Sequence, residues 1–86
     1  MTEELKIQVM DELYFLTAWA ELLEKTALSE LELKDTLAGL INEELVDQLM
    51  YEEEHHSFVR VVPFDMNQFE TSSFLNTRKG LLWLHV

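Results

Sequence analysis

The chain has no cysteine, only one proline and two glycines, and just six basic side chains among 86 residues. Without cysteine there is no disulfide framework, no thiolate nucleophile and no thiolate metal ligand. No glycine-rich loop is present to cradle phosphate, and none of the serines sits in a nucleophile-elbow context. Long apolar runs are also missing: none approaches the roughly 18–20 residues of a membrane span. The opening "MTEELK" lacks the basic stretch and apolar core of a secretory signal, so a cytoplasmic protein is expected. Scarce glycine and proline together with 48% hydrophobic residues argue against disorder. The length fits one domain over residues 1–86. A chain of this size buries roughly 60–65% of its unfolded surface, so its core is modest.

What the chain has in excess is negative charge. Seventeen acidic residues give a net charge of −11. The first 44 residues hold eleven acids and three bases, and the remaining 42 hold six and three. Duplex binding relies on lysine and arginine displacing counterions from phosphate. A net charge of this sign repels polyanions at long range and disfavours anionic membranes. It keeps the chain soluble and can steer it toward basic partners.

Residues 3–16, "EELKIQVMDELYFL", start with acids and place Leu5, Val9, Leu13 and Leu16 on one stripe, which predicts a helix. Residues 17–25, "TAWAELLEK", predict a second helix with Thr17 as a plausible cap and a break near Leu16–Ala18. The third helix, 29–43, has the clearest start. Ser29 followed three residues later by Glu32 forms a capping box, with Leu28 and Leu33 as the accompanying staple. Its apolar face is Leu33, Leu37, Leu40 and Ile41. Gly39 in mid-helix suggests close approach of another helix.

Beyond residue 44 the pattern changes. "LVDQLMY" (45–51) and "SFVRVVPF" (57–64) are rich in β-branched and aromatic residues, and "EEEHH" (52–56) separates them, which reads as a hairpin. Pro63 should end the second strand or lie at an edge. Residues 65–73 read as an irregular connection anchored by Met66 and Phe69. "SFLNT" (73–77) is a candidate strand. "TRKGLLWLHV" (77–86) reads as a helix capped by Thr77, with a strand as the competing reading.

Helix, helix, capped helix, hairpin and terminal helix is the order of a winged-helix domain. "LLEKTALSELELKDTLAGLINEELVDQL" (22–49) and "FLNTRKGLLWL" (74–84) carry the resemblance. It implies an α+β, winged-helix-like fold with three N-terminal helices, a β-hairpin wing and a C-terminal helix. In DNA-binding members the third helix reads base edges and the wing touches the backbone. Here that helix would present Glu30, Asp35 and Thr36 with Lys34 as its sole cation, and the wing tip would present Glu52, Glu53 and Glu54. Arg60, Arg78 and Lys79 are the only candidates for nucleic-acid contact, too few for ordinary duplex binding. A DNA-binding transcriptional regulator is therefore the alternative reading. A distant third is mimicry of nucleic acid by the acidic helix.

"EEEHH" is the one metal-like cluster. Its residues are consecutive, so neighbours on an extended strand point to opposite sides, and no further His or Cys stands at ligand spacing. A solvated loop is expected, with no metal and no cofactor; His55 or His56 could otherwise serve a pH-sensitive contact. Acidic pairs are so abundant that none marks a glycosidase-like site. An enzyme is not expected. "GLLWLHV" remains as the leading site: Leu81, Leu82, Trp83 and Leu84 cannot all face one side of a helix. An exposed apolar patch marks a protein interface. The resemblance places a homodimer contact on the first helix and residues 80–86, while Trp83 could equally close the chain's own core. The expected function is a non-enzymatic protein-interaction or dimerisation module.

Overall fold

The structure, a computed structural model, describes residues 2–85. In chain order its elements are α1 (Glu3–Met10), β1 (Thr17–Ala18), α2 (Trp19–Thr26), α3 (Glu30–Asn42), β2 (Val46–Glu52), β3 (Ser57–Arg60), a 3₁₀ segment (Met66–Thr71), β4 (Ser73–Asn76) and α4 (Arg78–Leu84). The strands form one antiparallel sheet in the order β1-β4-β2-β3. The class is α+β. Among the described residues no helix is long and apolar enough to cross a membrane.

Local signals account for most of these elements. Thr2 caps α1, accepting the Leu5 amide. Ser29 accepts the Glu32 amide at 3.1 Å while the Glu32 carboxylate accepts the Ser29 amide at 3.2 Å, so both halves of the capping box are made. Thr77 caps α4 by accepting the Gly80 amide at 2.9 Å. Of the segment expected as a helix over 77–86, Arg78–Leu84 are helical, and residue 86 lies outside the described residues. The hairpin and the strand at 73–76 lie where the pattern put them, except that the second hairpin strand, expected over 57–64, stops at Arg60, three residues before Pro63. Alternation on β2 and β4 turns Val46, Gln48, Phe74 and Asn76 into the core.

The first twenty residues differ from expectation. Helix α1 stops at Met10 instead of running to Leu16, and Thr17 does not cap a helix. The chain tightens after α1, with the Glu12 and Leu13 amides donating to Val9 and Met10 carbonyls. The Thr17 hydroxyl then bonds the Glu12 and Phe15 carbonyls at 2.9 and 2.8 Å, and Thr17 itself is buried in β1 opposite Phe74. Helix α2 starts one step later with Ala18 in the cap position and no side-chain cap bond. Pairing with a strand from the far end of the chain overrides the local helical pattern. Leu16 consequently leaves the expected stripe and is exposed, and Phe15 is 81% exposed.

The core is built from Val9, Met10 and Leu13, Trp19 and Leu22, then Leu33, Leu37 and Leu40 of α3, with Leu45, Val46, Phe69 and Phe74 beneath. Phe69 is its aromatic hub. It stands edge-on to Phe74 at 5.2 Å between centroids and tilts against Trp19 and Phe64 at 6.4 and 6.3 Å. Met66, expected to anchor the same segment, is exposed instead.

Two buried amides tie the layers together. Gln48 donates to Ser72 Oγ at 2.9 Å and to the Asp65 carbonyl at 3.1 Å, and its own oxygen accepts the Asp65 amide at 2.9 Å. Asn76 donates to the Met10 carbonyl at 3.0 Å, and its backbone amide reaches the Leu13 carbonyl, also at 3.0 Å. The 66–71 segment and the end of α1 are thereby pinned to the sheet.

Candidate interaction surface

Helix α4 is seated by its first turn. The Thr77 amide donates to the Leu45 carbonyl at 3.0 Å, and the Thr77 hydroxyl donates to the Glu44 carbonyl at 2.7 Å. Gly80 lies directly over the same junction: a Cβ there would stand 2.1 Å from the Leu45 oxygen. The close approach expected of Gly39 thus belongs to Gly80, which permits α4 to pack on the α3–β2 corner. Gly39 is only half-buried.

From that seat the four apolar residues divide. Trp83 and Leu84 are half-buried and pack against the core. Leu81 and Leu82 are exposed, Leu82 by 60%. Trp83 thus helps close the chain's own core, and Leu81 and Leu82 form an outward ridge. A groove of about 640 Å³ lies between α1 and α4, with Ile7 and Tyr14 on one side, Trp83, Leu84 and His85 on the other, and Glu3 and Asp11 contributing acid. Tyr14 hydroxyl and His85 Nε2 are 3.0 Å apart, which fastens the end of α4 to the turn after α1. Lys6 lies 5.7 Å from the centre of the Trp83 ring and pairs with Glu43 at 2.8 Å.

The acidic third helix is as anionic in place as in sequence. Glu30, Glu32 and Asp35 are exposed. Lys34, its one cation, pairs with Glu70 at 3.4 Å and lies 5.9 Å from the Trp19 ring centre. Thr36, expected on the outward face, is buried and donates to the Glu32 carbonyl at 2.7 Å. That bond satisfies the hydroxyl within its own helix and lets it face the core.

The three basic candidates sit on two elements. Arg60, on β3, pairs with Asp47 at 3.1 Å; Lys79, on α4, lies 3.8 Å from Glu44; Arg78 is exposed beside it. Residues 53–56 form the hairpin turn, closed by amides of His55 and His56 donating to Glu52 and Glu53 carbonyls at 3.2 Å each. His55 Nδ1 meets Glu52 at 2.6 Å. Among the described residues no group of three His, Asp or Glu side chains is placed to hold a metal. Lys25 has its pKa raised, chiefly by its hydrogen bond to Glu21, and it lies at the surface away from the groove. Comparison of the chain with protein-family models, curated proteins and solved structures gave no match.

Proposed function

We propose that the chain is a non-enzymatic protein-interaction or dimerisation module of winged-helix type, acting in the cytoplasm. The order of helices, the capped third helix and the hairpin that follows support the winged-helix reading. Electrostatics separate it from the usual activity of that family. The helix that would enter a groove carries exposed acids, its lysine is already paired, and the wing carries Glu52 at the end of β2 and Glu53 and Glu54 in its turn. Phosphate contact would require several cations on one face.

The observation that carries the proposal is the outward leucine ridge of α4. Leu82 is 60% exposed on a helix whose opposite side is seated against the core. The ridge adjoins the apolar groove beside α1, and a partner protein, a second copy included, would cover both.

Sedimentation of the wild-type chain should give a mass above that of one copy. Leu82→Glu should lower that mass without shifting the melting temperature, because a glutamate on this exposed position costs the fold little and the contact much. A mass unaltered by Leu82→Glu in a folded protein would remove α4 from the contact.

A further inference from the structure

Strand β3 is one of the two outer strands of the sheet, and among the described residues no strand pairs with its second edge. The direction of its backbone groups follows from one bond. The Val61 amide donates to the Gln48 carbonyl at 2.9 Å, continuing the register in which Val59 faces Met50 and Phe58 faces Tyr51. Bonded and non-bonded pairs alternate along an antiparallel ladder. Residues 57, 59 and 61 therefore turn their backbone groups toward β2, and Phe58 and Arg60 turn theirs outward. All four residues of β3 are exposed. Neither outward position is a proline; Arg60 is charged, but its guanidinium is paired with Asp47 of the neighbouring strand at 3.1 Å, and Pro63 comes only after the strand.

We propose that this edge pairs with β3 of a second copy, antiparallel, about a two-fold axis through Val59. With Val59 opposite its own counterpart, Phe58 and Arg60 of one copy face Arg60 and Phe58 of the other. These are the two positions whose amides and carbonyls point outward, so each pair can exchange two backbone bonds. The side chains agree with the register. Phe58 stands edge-on to Tyr51 at 5.4 Å, and the facing Arg60 brings a guanidinium to this aromatic pair. The same register lays the acidic turn of each copy along the uncharged Val61–Phe64 segment of the other, so the two turns do not confront each other. The self-complementarity of Phe58 with Arg60, repeated on both sides of the axis, is what selects a second copy as the occupant.

This contact does not depend on the ridge of α4, and its test is run with that ridge disabled. A non-bonded antiparallel pair has its Cα atoms about 4.5 Å apart, inside the roughly 4.4–6.8 Å that a disulfide spans. The chain has no cysteine, so Val59→Cys in a Leu82→Glu background can cross-link only at that position. Mild oxidation should give a covalent dimer as the main product, while Thr71→Cys, exposed and outside the sheet, should stay monomeric under the same conditions. Val59→Lys should abolish self-association of the Leu82→Glu protein with its melting temperature unchanged. Added salt should strengthen the association, since it screens two chains of charge −11. A cross-link no more abundant than that of Thr71→Cys would overturn the proposal. So would a Leu82→Glu protein that is monomeric at every concentration, or one that takes up an added foreign strand at this edge and never its own. If only the α4 contact is mistaken, Leu82→Glu leaves the wild-type mass unaltered and the Val59→Cys cross-link still forms.

Discussion

Replacing Gly80 with alanine should destabilise the protein, against the ordinary tendency of that change in a helix. Alanine is favoured over glycine within a helix by up to about 1 kcal/mol. At Gly80 the new Cβ would lie 2.1 Å from the Leu45 carbonyl oxygen, 3.0 Å from its carbon and 3.0 Å from Met10 Cε. The methionine tip can turn away. The carbonyl cannot, because it accepts the Thr77 amide at 3.0 Å and that bond seats the helix. Relief requires α4 to lift from the corner, which breaks the seat and loosens Trp83 and Leu84. Overpacking of this kind costs about 1–3 kcal/mol, and a lost hydrogen bond adds about 0.5–1.5 kcal/mol. The expected net loss is about 1–3 kcal/mol after the helix preference is deducted. For a domain of this size that lowers the melting temperature by roughly 5–20 °C. Urea unfolding followed by tryptophan fluorescence reads it directly, with Gly39→Ala, half-buried in mid-helix, as a control expected to be neutral or stabilising. A Gly80→Ala protein as stable as the wild type would refute the reasoning, since it would mean the corner yields at no cost.

Two further substitutions test the backbone and the buried amides. Glu44 holds a left-handed conformation with φ of 64° at the end of α3. Its strain of about 1–2 kcal/mol exceeds the added chain entropy of glycine, about 0.4–1 kcal/mol, so Glu44→Gly should stabilise by about 0.5–1 kcal/mol in the same urea assay; a loss would show that the side chain has another task. Gln48→Ala should cost about 1–3 kcal/mol by stranding the Asp65 amide, while the Ser72 hydroxyl keeps its bond to the Gln68 carbonyl. Faster amide exchange confined to residues 65–72 would be its companion signature, and unchanged exchange there would show that the 3₁₀ segment holds itself.

The parts of the fold that could be read in advance are those decided within a few residues. Ser29 with Glu32, Thr77 before a basic pair and Gly, and the acidic turn between two β-rich runs each announce a local structure. What could not be read is decided at long range. Thr17 and Ala18 pair with Phe74 and Ser73, more than fifty positions away, and no local preference encodes that strand. Gln48 and Asn76 look like surface residues in isolation; their signal was positional, since alternation places them on the same face as Val46 and Phe74. The candidate surface was half legible. Four successive apolar residues cannot share one side of a helix, so some exposure on 81–84 follows from the sequence. Which of them is outward depends on where Gly80 lets the helix sit.

The bonds from Asn76 to Met10 and Leu13, with Thr17 set against Phe74, also bear on how the molecule comes into being. Its first segment has no finished place until nearly the last has been made. A ribosome would have to emit the chain past residue 76 before the opening helix could lock. Until then the Met10 and Leu13 carbonyls lack the partners that Asn76 supplies, and cutting the chain between β3 and β4 would remove those partners from the opening segment.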